Sequence, residues 1–120
     1  MSTPLTSVAA AMLLLAPALT SWAVPTNDFP TIERVLFVES CVREHPDRPR
    51  QEMLYKCSCA LDAIAGELEY QEYVELSTAV DAGQIAGERG AAVRESTEGK
   101  SMSKRFKAVR AKALSGCFIQ

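Results

Sequence analysis

Apolar residues recur at steps of three and four along most of the chain, which is the spacing of one face of an α-helix. The first helix is expected from Thr31 to Glu44, with Thr31 as its N-cap. Pro46 ends it, because the residue before a proline is pushed out of the helical region. The apolar stripe of this helix consists of Ile32, Val35, Val38 and Val42.

A second helix is expected from Arg50 to Ala65, after a short connection that contains Pro49. Gly66 follows directly and is suited to a left-handed stop at the end of the helix. One stripe of this helix carries Met53, Cys57, Ala60, Leu61 and Ile64.

The second half of the chain predicts two more helices, at Tyr70–Val80 and Met102–Leu114, the latter ended by Gly116. Between them, Asp81–Ser101 is rich in glycine and reads as a loop or a broken helix around Gln84–Ala86. No segment alternates in the manner of a β-strand. The expected fold class is therefore all-α, a small bundle of about four helices.

The N-terminal 23 residues have the order of a secretion signal. An apolar run from Val8 to Leu19 is followed by the small residues Ser21 and Ala23, which suit cleavage before Val24. The run is shorter than the roughly 20 residues that a membrane-spanning helix needs. We therefore expect a single mature domain, residues 24–120, exported to the periplasm in a bacterium and otherwise to the extracellular space.

Four cysteines in an exported chain of this size predict two disulfides, which bring the stability that a small core supplies poorly. Residues two apart on a helix point about 200° away from each other, so Cys57 and Cys59 are poor partners. Cys57 shares the stripe that faces the first helix and Cys41. The preferred pairing is Cys41–Cys57 with Cys59–Cys117; the alternatives are Cys41–Cys59 with Cys57–Cys117, or an internal Cys57–Cys59 bridge.

The same sulfur atoms could instead bind a metal. Cys41 and His45 are four apart on one helix, and Cys57 and Cys59 lie on the next, a donor set suited to zinc or cuprous copper. Disulfides are the stronger interpretation, because His45 is the only histidine and the two neighbouring cysteines diverge. A thiol–disulfide redox role is a further alternative, although no Cys-x-x-Cys motif is present.

Charge is unevenly distributed although the net charge is only −2. All fifteen acidic residues precede Lys100, whereas residues 100–112 carry six bases and no acid. The last helix is therefore expected to dock on the acidic helices before it. Export, overall acidity and the absence of aromatic residues interleaved with these bases argue against nucleic-acid binding. A Cys59–Cys117 bridge would direct the apolar stripe of the last helix into the core, which argues against membrane contact.

Four residues are candidates for a partner surface. Phe37 and Tyr55 point away from the apolar stripes of their helices and could therefore contact a partner. Two arginines in the glycine-rich segment could bind an anionic group. The candidates are Phe37, Tyr55, Arg89 and Arg94.

No catalytic constellation is recognisable, since the lone His45 lies at a helix end and no carboxylate pair is set apart by its surroundings. In size and class the chain is similar to small periplasmic disulfide-containing helical proteins such as acid-stress chaperones. The sequence therefore predicts a small exported, non-enzymatic interaction or accessory protein, chaperone-like, without a cofactor and with a protein partner. Metal handling and thiol–disulfide exchange are the alternatives.

Overall fold

Five α-helices make up the computed structural model, which describes residues 27–120. No strand occurs in this part of the chain, so the all-α prediction is confirmed, with one helix more than expected. The predicted signal, residues 1–23, lies outside the described residues. The helices are α1 Thr31–Arg43, α2 Arg50–Glu67, α3 Tyr70–Gln84, α4 Glu88–Glu95 and α5 Thr97–Gly116.

The first two helices begin at the predicted residues, although Thr31 is the first helical residue of α1 and not its N-cap, which is Pro30. Helix α2 passes through Gly66 and ends after Glu67. The predicted glycine stop was wrong. Leu68 breaks the helix instead, because its backbone is extended and its side chain is 2% exposed within the core. Burial of Leu68, rather than the freedom of glycine, sets this boundary.

The glycine-rich segment is a helix broken at residues 85–87, which confirms the broken-helix interpretation and excludes the loop. Helix α3 continues past Val80 to Gln84, and α4 then covers two turns of the region expected to be irregular. Gly87, with φ of 82°, makes the turn between them. Gly90 allows close approach, since a Cβ there would lie 1.7 Å from the carbonyl oxygen of Ile85. These glycines therefore permit tight packing rather than disorder.

The last helix starts earlier than predicted, at Thr97, because Ser96 caps it by accepting a hydrogen bond from Gly99 N at 2.9 Å. It ends at Gly116, as expected. Phe118 then adopts a left-handed conformation, with φ of 60°.

Helix α2 is the centre of the bundle: it packs against α1 on one side and α5 on the other. Helix α5 also packs against α3, and α4 covers α3 and α5. Among the helices of residues 27–120, α1 makes extensive contact with α2 alone.

Two buried clusters form the core. In the first, Phe29 contacts the rings of Tyr70 and Tyr73, with centroids 5.3 and 5.0 Å away, so the segment before α1 is anchored on α3. The buried members of the first cluster are Phe29, Leu61, Ile64, Leu68, Leu76, Val109 and Ala113. Those of the second are Cys41, Val42, Met53, Cys57, Ala60, Cys117 and Ile119.

Ion pairs join the basic helix α5 to acidic residues elsewhere, as its charge predicted. Three such pairs flank its apolar face, and because all are partly exposed each contributes less than about 1 kcal/mol. They are Arg105–Glu72 at 2.6 Å, Arg110–Glu44 at 2.7 Å and Lys112–Glu67 at 2.9 Å. Packing of α5 therefore determines its position, and the charges reinforce it.

Candidate functional site

The four cysteines form the predicted pairs. Cys41 is bonded to Cys57 and Cys59 to Cys117, with Cα atoms 5.9 Å apart in both disulfides. No cysteine in the described residues is free. The pairing confirms that helix geometry directs Cys57 and Cys59 to opposite neighbours, and the disulfides indicate an oxidising, non-cytoplasmic compartment.

The alternative metal site at Cys41, His45, Cys57 and Cys59 is not formed. Two of the three sulfur donors, Cys41 and Cys57, are bonded to each other, and the third, Cys59, is bonded to Cys117. Within residues 27–120, no three histidine, cysteine or acidic side chains cluster as metal ligands would. The donor set therefore fails because disulfide formation uses its sulfur.

The four candidate partner residues lie in different surroundings. Tyr55 on α2 is 72% exposed, and Arg89 on α4 is also exposed. Phe37 is half-buried and packs against both core clusters. The guanidinium of Arg94 is occupied by backbone carbonyl groups at the end of α3. The structure does not bring these residues together.

A different apolar surface, which the predicted apolar stripe did not indicate, lies on the outward face of α1. Two residues of the predicted core stripe, Ile32 and Val35, are 61% and 50% exposed, and Leu36 is 55% exposed. Phe37 turns toward the core instead. The sequence contains a pattern that could have predicted this exposed face. Residues 35–38 are four consecutive apolar residues and point in directions all around the helix, and a helix with one main neighbour cannot bury them all.

A groove of about 510 Å³ runs between α1 and α2, and of the three exposed residues Val35 lines it, whereas Leu36 borders a different depression. The apolar lining of the groove comes from both helices, whose spacing is fixed by the Cys41–Cys57 disulfide. Arg34 on one rim and Asp62 on the other form no ion pair with any described residue. The full lining is Thr31, Arg34, Val35, Val38, Glu39, Leu54, Ser58, Leu61 and Asp62.

A second depression, of about 380 Å³, lies on the other side of α1 and faces α3 and α5. Its lining is more polar and includes Glu33, Asp81 and Arg110. Burial raises the pKa of Tyr73 at this site, and the negative charge of Glu33 raises it further. A neutral phenol among charged groups can donate a hydrogen bond but does not supply a nucleophile at neutral pH.

Comparison with known proteins identifies no family. No family model, curated protein or solved structure matches the chain. Among the helices of residues 27–120, none combines the length and hydropathy required to cross a bilayer.

Proposed function

We propose that the mature chain is an exported, non-enzymatic binding module that holds an amphipathic helix of a partner protein in the groove between α1 and α2. The observation that carries this proposal is the apolar groove itself, in whose lining Val35 is 50% exposed, together with the exposed Ile32 one turn earlier on α1. Contiguous exposed apolar surface bordered by polar residues is typical of protein interaction sites.

The arrangement of the helices favours a helical occupant. Helices α1 and α2 form one wall each, whereas α5 already fills the corresponding position between α2 and α3. A further helix lying against α1 and α2 would bury its own apolar face in the same manner, as in helix-in-groove recognition. The Cys41–Cys57 disulfide holds the groove open before the partner arrives, which lowers the entropic cost of binding.

Charged residues on the rims of the groove indicate which charged side chains the partner helix should carry. Arg34 and Asp62 lie on opposite rims without an ion pair among the described residues, while Glu39 is paired with Arg50 at 2.8 Å. A helix with apolar residues at three- and four-residue steps, an acidic side chain toward Arg34 and a basic one toward Asp62, complements both rims.

The non-enzymatic part of the proposal rests on the reactive side chains. All four cysteines are oxidised in disulfides, so none is a free thiol nucleophile, and the single histidine lies beyond the end of α1. Export rests on the N-terminal apolar run together with the disulfides. An intact mass that starts at Val24 in protein recovered from outside the cytoplasm would support it, and a retained residue 1 would refute it.

Site-specific photo-crosslinking in the producing cells tests the groove. A photoreactive amino acid is placed at Val35, and the matched control carries it at Ala111, an exposed residue on α5. We expect the Val35 protein alone to give a discrete adduct, whose crosslinked peptide maps to an amphipathic helical segment of another protein. Adducts only with a second copy of the chain, identical adducts from both positions, or none would refute this occupant.

A further inference from the structure

The two disulfides differ sharply in their access to solvent. Cys41 and Cys57 are 2% and 0% exposed and lie within the second core cluster. Cys59, in contrast, is an exposed residue, although its partner Cys117 is only 4% exposed. A thiol in solution can therefore approach one disulfide through Cys59, while the other is almost completely buried, although Cys41 borders the depression between α1, α3 and α5.

A groove of about 670 Å³ lies directly beside the accessible disulfide, between α2 and α5. Small residues make it wide: on α2, Ala63 and Gly66 continue the face that carries Cys59, and Gly116 lies opposite. The Glu67–Lys112 ion pair forms one rim. The sulfur atoms are thus reached through an open surface and not through a channel in the core.

We infer that Cys59–Cys117 is an exchangeable disulfide, attacked at Cys59 by a thiolate that enters through this groove. The thiolate forms a new bond to the Cys59 sulfur, the Cys59–Cys117 bond breaks, and Cys117 leaves as a thiolate that takes a proton from water. A second thiolate then attacks the external sulfur of the mixed disulfide, and Cys59 leaves as a thiolate that also takes a proton from water. The protein ends with two thiols, and the attacking pair is oxidised to a disulfide.

Reduction of Cys59–Cys117 would remove the covalent link between α2 and the C-terminal tail, while α1 and α2 would stay joined by the other disulfide. Besides the disulfide, the tail is held by the buried side chain of Ile119 and by Lys56, whose ammonium donates to the carbonyl of Phe118 at 3.2 Å. The Cys41–Cys57 disulfide remains in place. This inference goes beyond the proposed binding groove and does not depend on it, since the two surfaces lie on opposite sides of α2.

Graded reduction of the oxidised mature protein under native conditions tests the inference. One arm uses reduced glutathione and the other a reduced oxidoreductase with a Cys-x-x-Cys site, followed by alkylation and mass spectrometry of each cysteine. We expect Cys59 and Cys117 to be alkylated at least about tenfold faster than Cys41 and Cys57 in one arm or both. The reacting arm identifies the source of the thiolate. Equal rates at all four cysteines, or no reaction in either arm, would overturn it.

Substitutions at Gly66 test the route of attack. A Cβ at this position meets no atom within 4 Å, so Gly66→Leu and Gly66→Ala both fit the helix. Leucine would fill the groove, and we expect it to slow the reduction of Cys59–Cys117 several-fold without changing that of Cys41–Cys57. Gly66→Ala is the matched control and should retain the original rate. Equal rates for both variants would refute entry through the groove.

Discussion

Arg94 donates from Nη1 to the carbonyl oxygen of Gly83, at 2.5 Å, and thereby ties α4 to the last turn of α3. The same nitrogen is 3.1 Å from the carbonyl oxygen of Ile85. A positive charge at a helix C-terminus is favourable because carbonyl groups there have no partner within the helix. Arg94, which the sequence suggested as a binding site for an anionic group, thus caps the C-terminal end of α3.

Replacing Arg94 by methionine should lower the free energy of unfolding by about 1 kcal/mol, since it removes a charge-assisted hydrogen bond from a partly exposed site. Arg89→Met is the control on the same helix, because Arg89 is exposed and forms no ion pair among residues 27–120. Urea denaturation of both variants measures the difference. Equal losses would show that Arg94 acts only as a surface charge.

Alanine should have opposite effects at two helical glycines. At Gly90, a Cβ would collide with the Ile85 carbonyl group, so we expect Gly90→Ala to cost about 1–3 kcal/mol. At Gly66, the Cβ enters open space, and Gly66→Ala should gain up to about 1 kcal/mol from helix propensity. Thermal denaturation of the two variants measures the signs. Stabilisation by both would mean that α4 does not pack closely on the end of α3.

Phe118 occupies a position at which glycine is usual. After α5, Ile119 N donates to Leu114 O at 3.0 Å and Phe118 N to Ser115 O at 3.2 Å, the two bonds of a Schellman motif. The left-handed backbone conformation of Phe118 lowers the stability of the fold by about 1 kcal/mol or more, because this residue carries a side chain. Because the ring is 79% exposed, Phe118→Gly should raise the free energy of unfolding by about 1 kcal/mol.

The control is Phe118→Ala, which removes the same ring but keeps the Cβ. We expect no gain from this variant in the same urea denaturation experiment. Equal stabilisation by alanine would assign the effect to the exposed ring and not to the backbone.

Alkaline pH should destabilise the protein through Tyr73. Burial raises the pKa of its phenol above about 10, Glu33 and Asp81 raise it further, and Arg110 opposes them. The unfolded chain therefore loses this proton first, so the contribution of Tyr73 is full below pH 10 and is lost as pH rises above it. The urea midpoint should decrease between about pH 8 and pH 10.5, and this decrease should be smaller in Tyr73→Phe than in the original protein. Tyr55→Phe is the control for removal of one tyrosine; if it flattens the pH dependence equally, Tyr73 is not the cause.

The candidate groove shows where sequence reasoning was insufficient. The spacing of Ile32, Val35, Val38 and Val42 indicated a helix correctly, yet only the last two turn inward. Periodicity gives the angles between residues on one helix, but the direction of the inward face depends on the neighbouring helices. Because α1 packs mainly against α2, its remaining apolar residues are left at the surface.

The sequence by itself determined the helical class and the starts of α1, α2 and α3, because these depend on local quantities: the 100° turn per residue and the position of prolines. The divergence of Cys57 and Cys59 favoured the observed disulfide pairing over its two alternatives, and the tertiary structure decided it. Tertiary structure alone decided that the glycine-rich segment folds as α4, that Arg94 caps α3, and that Cys59 is accessible while Cys57 is enclosed. Each of these depends on contacts between residues distant along the chain or between packed helices, and local spacing does not contain them.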